Sequence, residues 1–288
     1  MEGVSFSVDE GELVGIVGAD GAGKTTLLRM IAGLSSADEG RITVRGIDVA
    51  KHPRALSAHV GYAAQQVSLY GDLTVAQNLH FVADLYSLPR NEYRRREREL
   101  LELTGLSRFR ARLVADLSGG MRQKAALAAT LLPGPEILLL DEPTLGLDPI
   151  SRRDIWDILY ALVARGMTAL VATSNVSEAE RCTRAGLLHQ GRLLQMAPPR
   201  DIREGMKQKV LEINGLPATA TRDGVQALEG VMGVNVLGGR VRVVCRNVAC
   251  AQRVREWVQY LARGGTVREV GPTLEEAFAA LIGGGGDG

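Results

Sequence analysis

The feature that most restricts this chain is the passage from LVGIV at 13–17 through Gly18, Ala19, Asp20, Gly21, Ala22, Gly23, Lys24 and Thr25. Five consecutive apolar residues predict a strand buried on both faces, as in parallel sheets covered by helices. The eight residues that follow fit G-x-x-x-x-G-K-[ST]. A helical pattern begins at Lys24, with Leu27, Leu28, Ile31 and Ala32 on one face and Gly33 as its stop. Strand, glycine loop and helix in that order predict a phosphate cradle. Glycines let successive backbone N–H groups turn inward around phosphate oxygens, and the helix N-terminus adds partial positive charge. Lys24 would reach the β and γ phosphates, Thr25 would offer a hydroxyl to Mg2+, and Thr26 stands beside it at the same helix start.

The remaining pattern repeats the alternation of strand and helix. ILLLD at 137–141 and TALVAT at 168–173 predict two more buried parallel strands, and the helix between them is expected to open on a capping box formed by Ser151 and Asp154. Ahead of the glycine loop, Val4, Phe6 and Val8 alternate with polar residues and predict a strand. From Thr74 to Arg112 the chain turns helical. Residues 90–112 hold eight Arg and four Glu, a local +4, which reads as a solvated helix face because Tyr93, Leu100 and Leu101 supply an apolar one. An Ala-rich helix opens at Leu117 to Gly120 and stops at Pro133. Together these features predict an α/β domain over 1–200, with ligand at the carboxyl ends of the strands and a helical subdomain at about 74–133.

The pattern breaks around Ala197 to Pro199, and 207–282 reads as a small α+β domain. Val234, Val236, the Gly238–Gly239 turn, Val241, Val243 and Cys245 predict a hairpin. A helix carrying Val254, Trp257, Val258 and Leu261 follows. Thr273 and Glu276 predict a capping box for a last helix, and GGGGDG at 283–288 reads as a flexible tail or a linker toward a second unit.

Charge narrows the function classes. The balance of 34 Lys and Arg against 33 Asp and Glu, +1, excludes sequence-blind attraction to nucleic acid or anionic lipid as the driving force. Cys182, Cys245 and Cys250 form no CxxC pair and are odd in number, which predicts small buried hydrophobes in a reducing compartment. No apolar run approaches the 18 residues of a membrane span, and the first residues lack the basic and apolar regions of a signal peptide. The expected setting is cytosolic, with room for docking at a membrane.

Asp141 and Glu142 follow the strand ILLL. The first could hold Mg2+ through water, and the second could orient or deprotonate an attacking water. LSGGMRQK at 117–124, Gln65 in GYAAQQ and DEPTLGLDP at 141–149, together with the glycine loop, resemble the ATP-binding cassette ATPases over residues 3 to about 200. SLYGDLTVAQNL at 68–79 and AERC at 179–182 resemble the drug-exporter branch, which includes members with two cassettes in one polypeptide.

The resemblance implies a P-loop NTPase cassette with a mostly parallel core sheet, an antiparallel β edge and a helical subdomain. It implies ATP and Mg2+, with Thr25, Gln65 and Asp141 at the metal, and with Glu142, Gln65 and Ser174, a degenerate switch position, as the catalytic set. Ser118, Gly119 and Gly120 would contact the nucleotide of a second cassette, a homodimer mate or a paralogue. Asp148 would cross that interface, and Gln65 would also report to an integral membrane permease, unless its role is only structural. The implied place is the inner face of the cell membrane.

Two departures stand out. Counting back four from Glu178 in SEAE reaches the position of the family's switch histidine, and here it is Ser174. A missing transition-state donor of this kind typically costs roughly 10²- to 10³-fold in rate. The adenine-stacking aromatic of a strand ahead of VSFSV is also absent, so adenine is held more loosely or residues precede Met1; Phe6 reads as core. Two other classes stay open: a soluble cassette acting on nucleic acid or ribosome, for which the expected long charged linker is missing, and a regulatory module that uses ATP only as dimer glue.

Overall fold

All five residues of the first strand, β1 (Leu13–Val17), are buried. The computed structural model describes residues 1–66, 69–261 and 265–284, and the chain forms two compact units, Met1–Met196 and Ala197–Gly288. In the first, β1 leads through the glycine loop into α1 (Lys24–Ile31), a short hairpin of β2 (Thr43–Val44) and β3 (Ile47–Asp48), and β4 (Val60–Ala63). Three helices follow: α2 (Val75–Leu85), α3 (Arg90–Leu103) and α4 (Gly119–Leu131). The unit then runs β5 (Ile137–Asp141), α5 (Pro149–Val163), β6 (Thr168–Thr173), the single turn α6 (Val176–Ala179), β7 (Arg184–His189) and β8 (Arg192–Ala197).

The sheet order is β4-β5-β6-β1-β7-β8, with β4, β5, β6, β1 and β7 mutually parallel. Alternate side chains of each strand enter different cores. Val14, Ile16, Leu139, Leu170 and Ala172 pack with Leu27 and Leu28 of α1, whereas Leu13, Leu138, Leu140, Ala169 and Val171 pack with Ile155, Trp156 and Leu159 of α5. The helical region has its own core, built on Val75, Leu79, Tyr93, Leu101, Ala125 and Ala128. The apolar face expected of the arginine-rich helix is real: Tyr93 and Leu101 are buried there.

Two local expectations change. Residues 4–8 join no strand ladder among the described residues; Val4, Phe6 and Val8 pack on the first core while Ser5 and Ser7 are exposed. Their period of two records a covered face, and a face does not require a hydrogen-bonded partner. Helix α5 starts ahead of the expected capping box. Asp148 accepts from the amides of Ile150 and Ser151, both at 3.0 Å, and Pro149 takes the first helical position, where its missing N–H costs nothing. Asp154 instead pairs with Lys124 of α4 at 2.8 Å.

The second unit runs α7 (Pro199–Glu204), β9 (Lys209–Asn214), α8 (Ala218–Gln226), β10 (Val231–Leu237), β11 (Arg240–Cys245), α9 (Val248–Leu261), β12 (Thr266–Val270) and α10 (Leu274–Gly284). Its sheet, β10-β11-β9-β12, is antiparallel throughout. With helices after the first and third strands this is a βαββαβ arrangement. The hairpin forms in the expected register, Val234 opposite Val243 and Val236 opposite Val241. Thr273 and Glu276 form their capping box. Of GGGGDG, Gly283 and Gly284 end α10, and residues 285–288 lie outside the described residues. Cys182, Cys245 and Cys250 are free and buried.

Candidate functional site

Parallel register decides which residues can meet. Ala63 of β4 lies opposite Leu140 of β5, Asp141 opposite Ala172 of β6, and Thr173 opposite Val17 of β1. One or two residues past these partners, four adjacent strands end at Gln65, Glu142, Ser174 and Gly18. The carboxyl edge of the sheet thus gathers residues from four distant stretches of sequence, where open α/β sheets bind ligand.

The loop from Gly18 to Gly23 ends on Gly23, whose φ of 105° is a conformation other residues rarely adopt. Because that N-cap carries no side-chain acceptor and no acidic residue follows in the first turn, the opening amides of α1 are left to an external anion. Lys24 is 6% exposed, and its ammonium donates to the carbonyls of Gly18 at 2.8 Å and Ala19 at 3.2 Å. It also lies 3.1 Å from Glu142 Oε1 and 3.9 Å from Asp20. The lysine is held straight across the loop, aimed at the sheet's edge. Thr25 is half-buried and Thr26 exposed.

Glu142 has φ of 50°, one of four non-glycine residues with positive φ among those described. Strain of this sort costs about 1–3 kcal/mol and persists only where the surroundings impose it. Here the Glu142 amide donates to Ala172 O at 2.8 Å, and the Ser174 hydroxyl donates to Glu142 Oε2 at 3.3 Å. Asp141 is 1% exposed; the Tyr62 hydroxyl donates to its Oδ2 at 3.4 Å, and among the described residues its Oδ1 is buried without a partner. An unpaired buried carboxylate oxygen close to the glycine loop fits a hard cation such as Mg2+, toward which Asp141, Thr25 and Gln65 would supply oxygen donors. Gln65 is exposed just beyond β4; Val67 and Ser68, where SLYGDLTVAQNL opens, lie outside the described residues.

Ser118 caps α4, its hydroxyl accepting from Met121 N at 3.2 Å, and Gly119 opens onto free space. Gly120 has a different cause: a Cβ there would run into the Ser151 side chain of α5. Asp148 is exposed at its cap, and hydrogen bonds from Ser151 and from the Ile150 amide hold its carboxyl below the usual carboxylate range.

A second network, legible only in part from sequence, lies under Ser174. Glu178 is 1% exposed and accepts from the hydroxyls of Thr144 and of Thr173, the latter at 2.9 Å, with Arg152 Nε at 3.8 Å. One carboxylate thereby fastens the turn after Glu142 to the strand end before Ser174. In the sequence Glu178 served only as a register mark for position 174; its neighbours, Ser177, Ala179, Glu180 and Arg181, are mostly polar, so nothing local marked it as a buried acid. Tyr62 was missed altogether.

Among the described residues no helix is long and apolar enough to cross a membrane. A family profile described as ABC transporter matches residues 1–145. The chain is 40% identical over 286 residues to the probable multidrug ABC transporter ATP-binding protein YbhF of Escherichia coli K12, covering 97% of this chain and 48% of that protein, so it spans about half of that relative's length. It is 38% identical over 225 residues to the Nod factor export ATP-binding protein I of Paraburkholderia xenovorans, 77% of this chain and 74% of that one. Among solved structures, an ATP-binding subunit of an ABC transporter matches with a TM-score of 0.63 at 34% identity, over 70% of this chain and 85% of that one. The dimeric post-hydrolysis cassette MJ0796 bound to ADP and Pi matches with 0.61 at 29%, over 67% and 88%. With the glycine loop and the paired acids at the carboxyl edge of this sheet, and the serine-glycine turn at the start of α4, the chain belongs to the ATP-binding family of the ABC transporters.

Proposed function

We propose that the chain is an ATP-hydrolysing motor subunit of a membrane exporter. It binds MgATP between two cassettes, its own and a homodimer mate's or a paralogue's, and drives an integral membrane permease from the inner face of the cell membrane. The observation that carries this reading is the carboxyl-edge constellation of Lys24, Asp141, Glu142 and Ser174, set beside relatives named for multidrug and Nod factor export.

In this reading Lys24 and the free amides of α1 grip the phosphates, and Glu142, fixed by its backbone and by Ser174, takes the proton of the attacking water. Mg2+, held by Thr25, Asp141 and Gln65, supplies neutralisation of phosphate charge when bound. Ser118 and Gly119 present a second anion cradle for the nucleotide of the facing cassette, with Gly120 letting that turn sit against α5 and Asp148 lying at the junction. Because the Ser174 hydroxyl is short and already directed at Glu142, this site turns over slowly, and its serine-glycine turn serves a competent neighbour.

Detergent extraction tests the assembly: an integral membrane protein should co-purify, and a chain that emerges alone with MgATP present overturns the exporter reading. Within the purified complex, Ser174→His should raise single-turnover hydrolysis; rates equal to wild type would remove the slow-site reading.

A further inference from the structure

Tyr62 and Asp141 meet because of the pleat. Side chains alternate between the two faces of a strand, so Leu139 and Asp141 of β5 share one face. Tyr62 of β4 has Leu139 as its register partner and lies on that same face. Helix α1 covers it: Tyr62 and Leu139 both pack in the core that contains Leu27 and Leu28. Arg29, in the last turn of α1, stands one helical turn beyond Thr25. Three elements far apart in sequence thus bring Arg29, Tyr62 and Asp141 together on one side of the sheet.

The direction of the hydrogen bonds follows from what each group can do. An ionised carboxylate only accepts, and a guanidinium only donates. The Tyr62 hydroxyl lies 3.4 Å from Asp141 Oδ2 and is hydrogen-bonded to Arg29 as well. Between these two, its oxygen accepts from Arg29 and its proton goes to Asp141. Burial raises the hydroxyl above the ordinary 10.0, with Arg29 pulling the other way, so it remains a donor at neutral pH. The terminal torsion of an aspartate is broad and roughly two-fold, so its carboxylate plane is set by an outside anchor. Tyr62 anchors Oδ2, while Oδ1 is buried and, among the described residues, has no partner.

We propose that Tyr62 and, through it, Arg29 are positioning residues for the metal: the ordered chain from Arg29 to Tyr62 to Asp141 tethers one carboxylate oxygen and leaves the other to Mg2+. This inference rests on the MgATP reading and deepens it, since it gives a task to two residues outside both the glycine loop and the paired acids.

The test uses the full 288-residue chain with stoichiometric ADP, and Mn2+ as a probe that takes the same oxygen donors. Free Mn2+ is read by electron paramagnetic resonance. Removing a hydrogen-bond partner of a metal-binding carboxylate typically costs 10- to 100-fold in metal affinity, so Tyr62→Phe should weaken Mn2+ binding about tenfold. ADP affinity in EDTA, read by titration calorimetry, should stay within about twofold of wild type, which shows that the fold and the phosphate cradle are intact. Arg29→Met, at an exposed position, should weaken Mn2+ binding by less than Tyr62→Phe. The double variant should be no weaker than Tyr62→Phe alone, because Arg29 acts only through the hydroxyl. Mn2+ binding that is lost in Asp141→Asn but equal to wild type in Tyr62→Phe overturns the proposal. So do single losses that add in the double variant, or a matching loss of ADP affinity in EDTA. Mn2+ binding untouched by Asp141→Asn would instead overturn the metal reading itself, and the proposal with it.

Discussion

Lys24 and Glu142, 6% and 8% exposed, make an ion pair at 3.1 Å, so in the proposed reading a phosphate group gripped by the lysine competes with the glutamate for it. Glu142→Gln keeps the shape and removes the charge. ADP affinity should then rise about threefold to tenfold, roughly 0.7 to 1.4 kcal/mol, while hydrolysis falls at least about 10²-fold with the loss of the base. Titration calorimetry with MgADP reads the first effect; an affinity unchanged or weaker would mean that the pair does not compete with phosphate. At this scale the sequence was most legible where chemistry demands residue types at fixed spacing, as from Gly18 to Thr25. It was least legible for pairs made by folding: Ser174 and Glu142 are 32 positions apart, and Tyr62 and Asp141 are 79 apart. Nothing local to either residue announces such a bond. Gly120 shows the converse, since a glycine expected to approach a ligand also answers to the Ser151 side chain behind it.

The elements that present the site are joined by Glu178, which fastens the turn after β5 to the end of β6. Thr144→Val removes one hydroxyl from that carboxylate without touching the phosphate cradle. It should lower kcat about fivefold through misplacement of Glu142, with MgADP affinity within about twofold of wild type, and Thr144→Ser should restore the rate. A fall in affinity matching the fall in kcat would assign Thr144 a role in binding. In the second unit, Glu276 joins α10 to β11 through Arg242, at 2.8 Å. Burial alone would raise its carboxyl, but hydrogen bonds from Arg242 and Thr273 outweigh burial and hold it below the ordinary 4.5. A lowered carboxylate contributes stability that is present above 4.5 and is lost as pH falls through the lower folded value. Arg242→Met should therefore cost about 3 kcal/mol at neutral pH, and its gap from wild type in thermal unfolding should narrow below pH 4.5. A gap constant with pH would show that packing, and not the ion pair, is what was lost. Element types were legible because burial imposes a period on sequence. Their edges were not, as residues 4–8 and the start of α5 show: a period cannot tell whether a partner strand exists, and two capping signals three residues apart compete.

The whole molecule comprises two units, each with cores of its own: the three built on β1, α5 and α2 lie within the first, and the one built on Leu211, Val243 and Val254 lies within the second. Every residue of the phosphate cradle belongs to the first. A ligand that binds only the folded form stabilises whatever unfolds together with its site, by about 2.7 kcal/mol at a hundredfold excess over Kd. If the units unfold separately, scanning calorimetry should resolve two transitions, and MgADP should raise only one of them. Arg242→Met should lower only the other. The two perturbations act on opposite units and each serves as the other's control, so the assignment does not depend on which transition comes first. A single transition that both perturbations move would mean that the second unit is an integral part of the cassette's cooperative fold, and that nucleotide binding is felt energetically as far as β10.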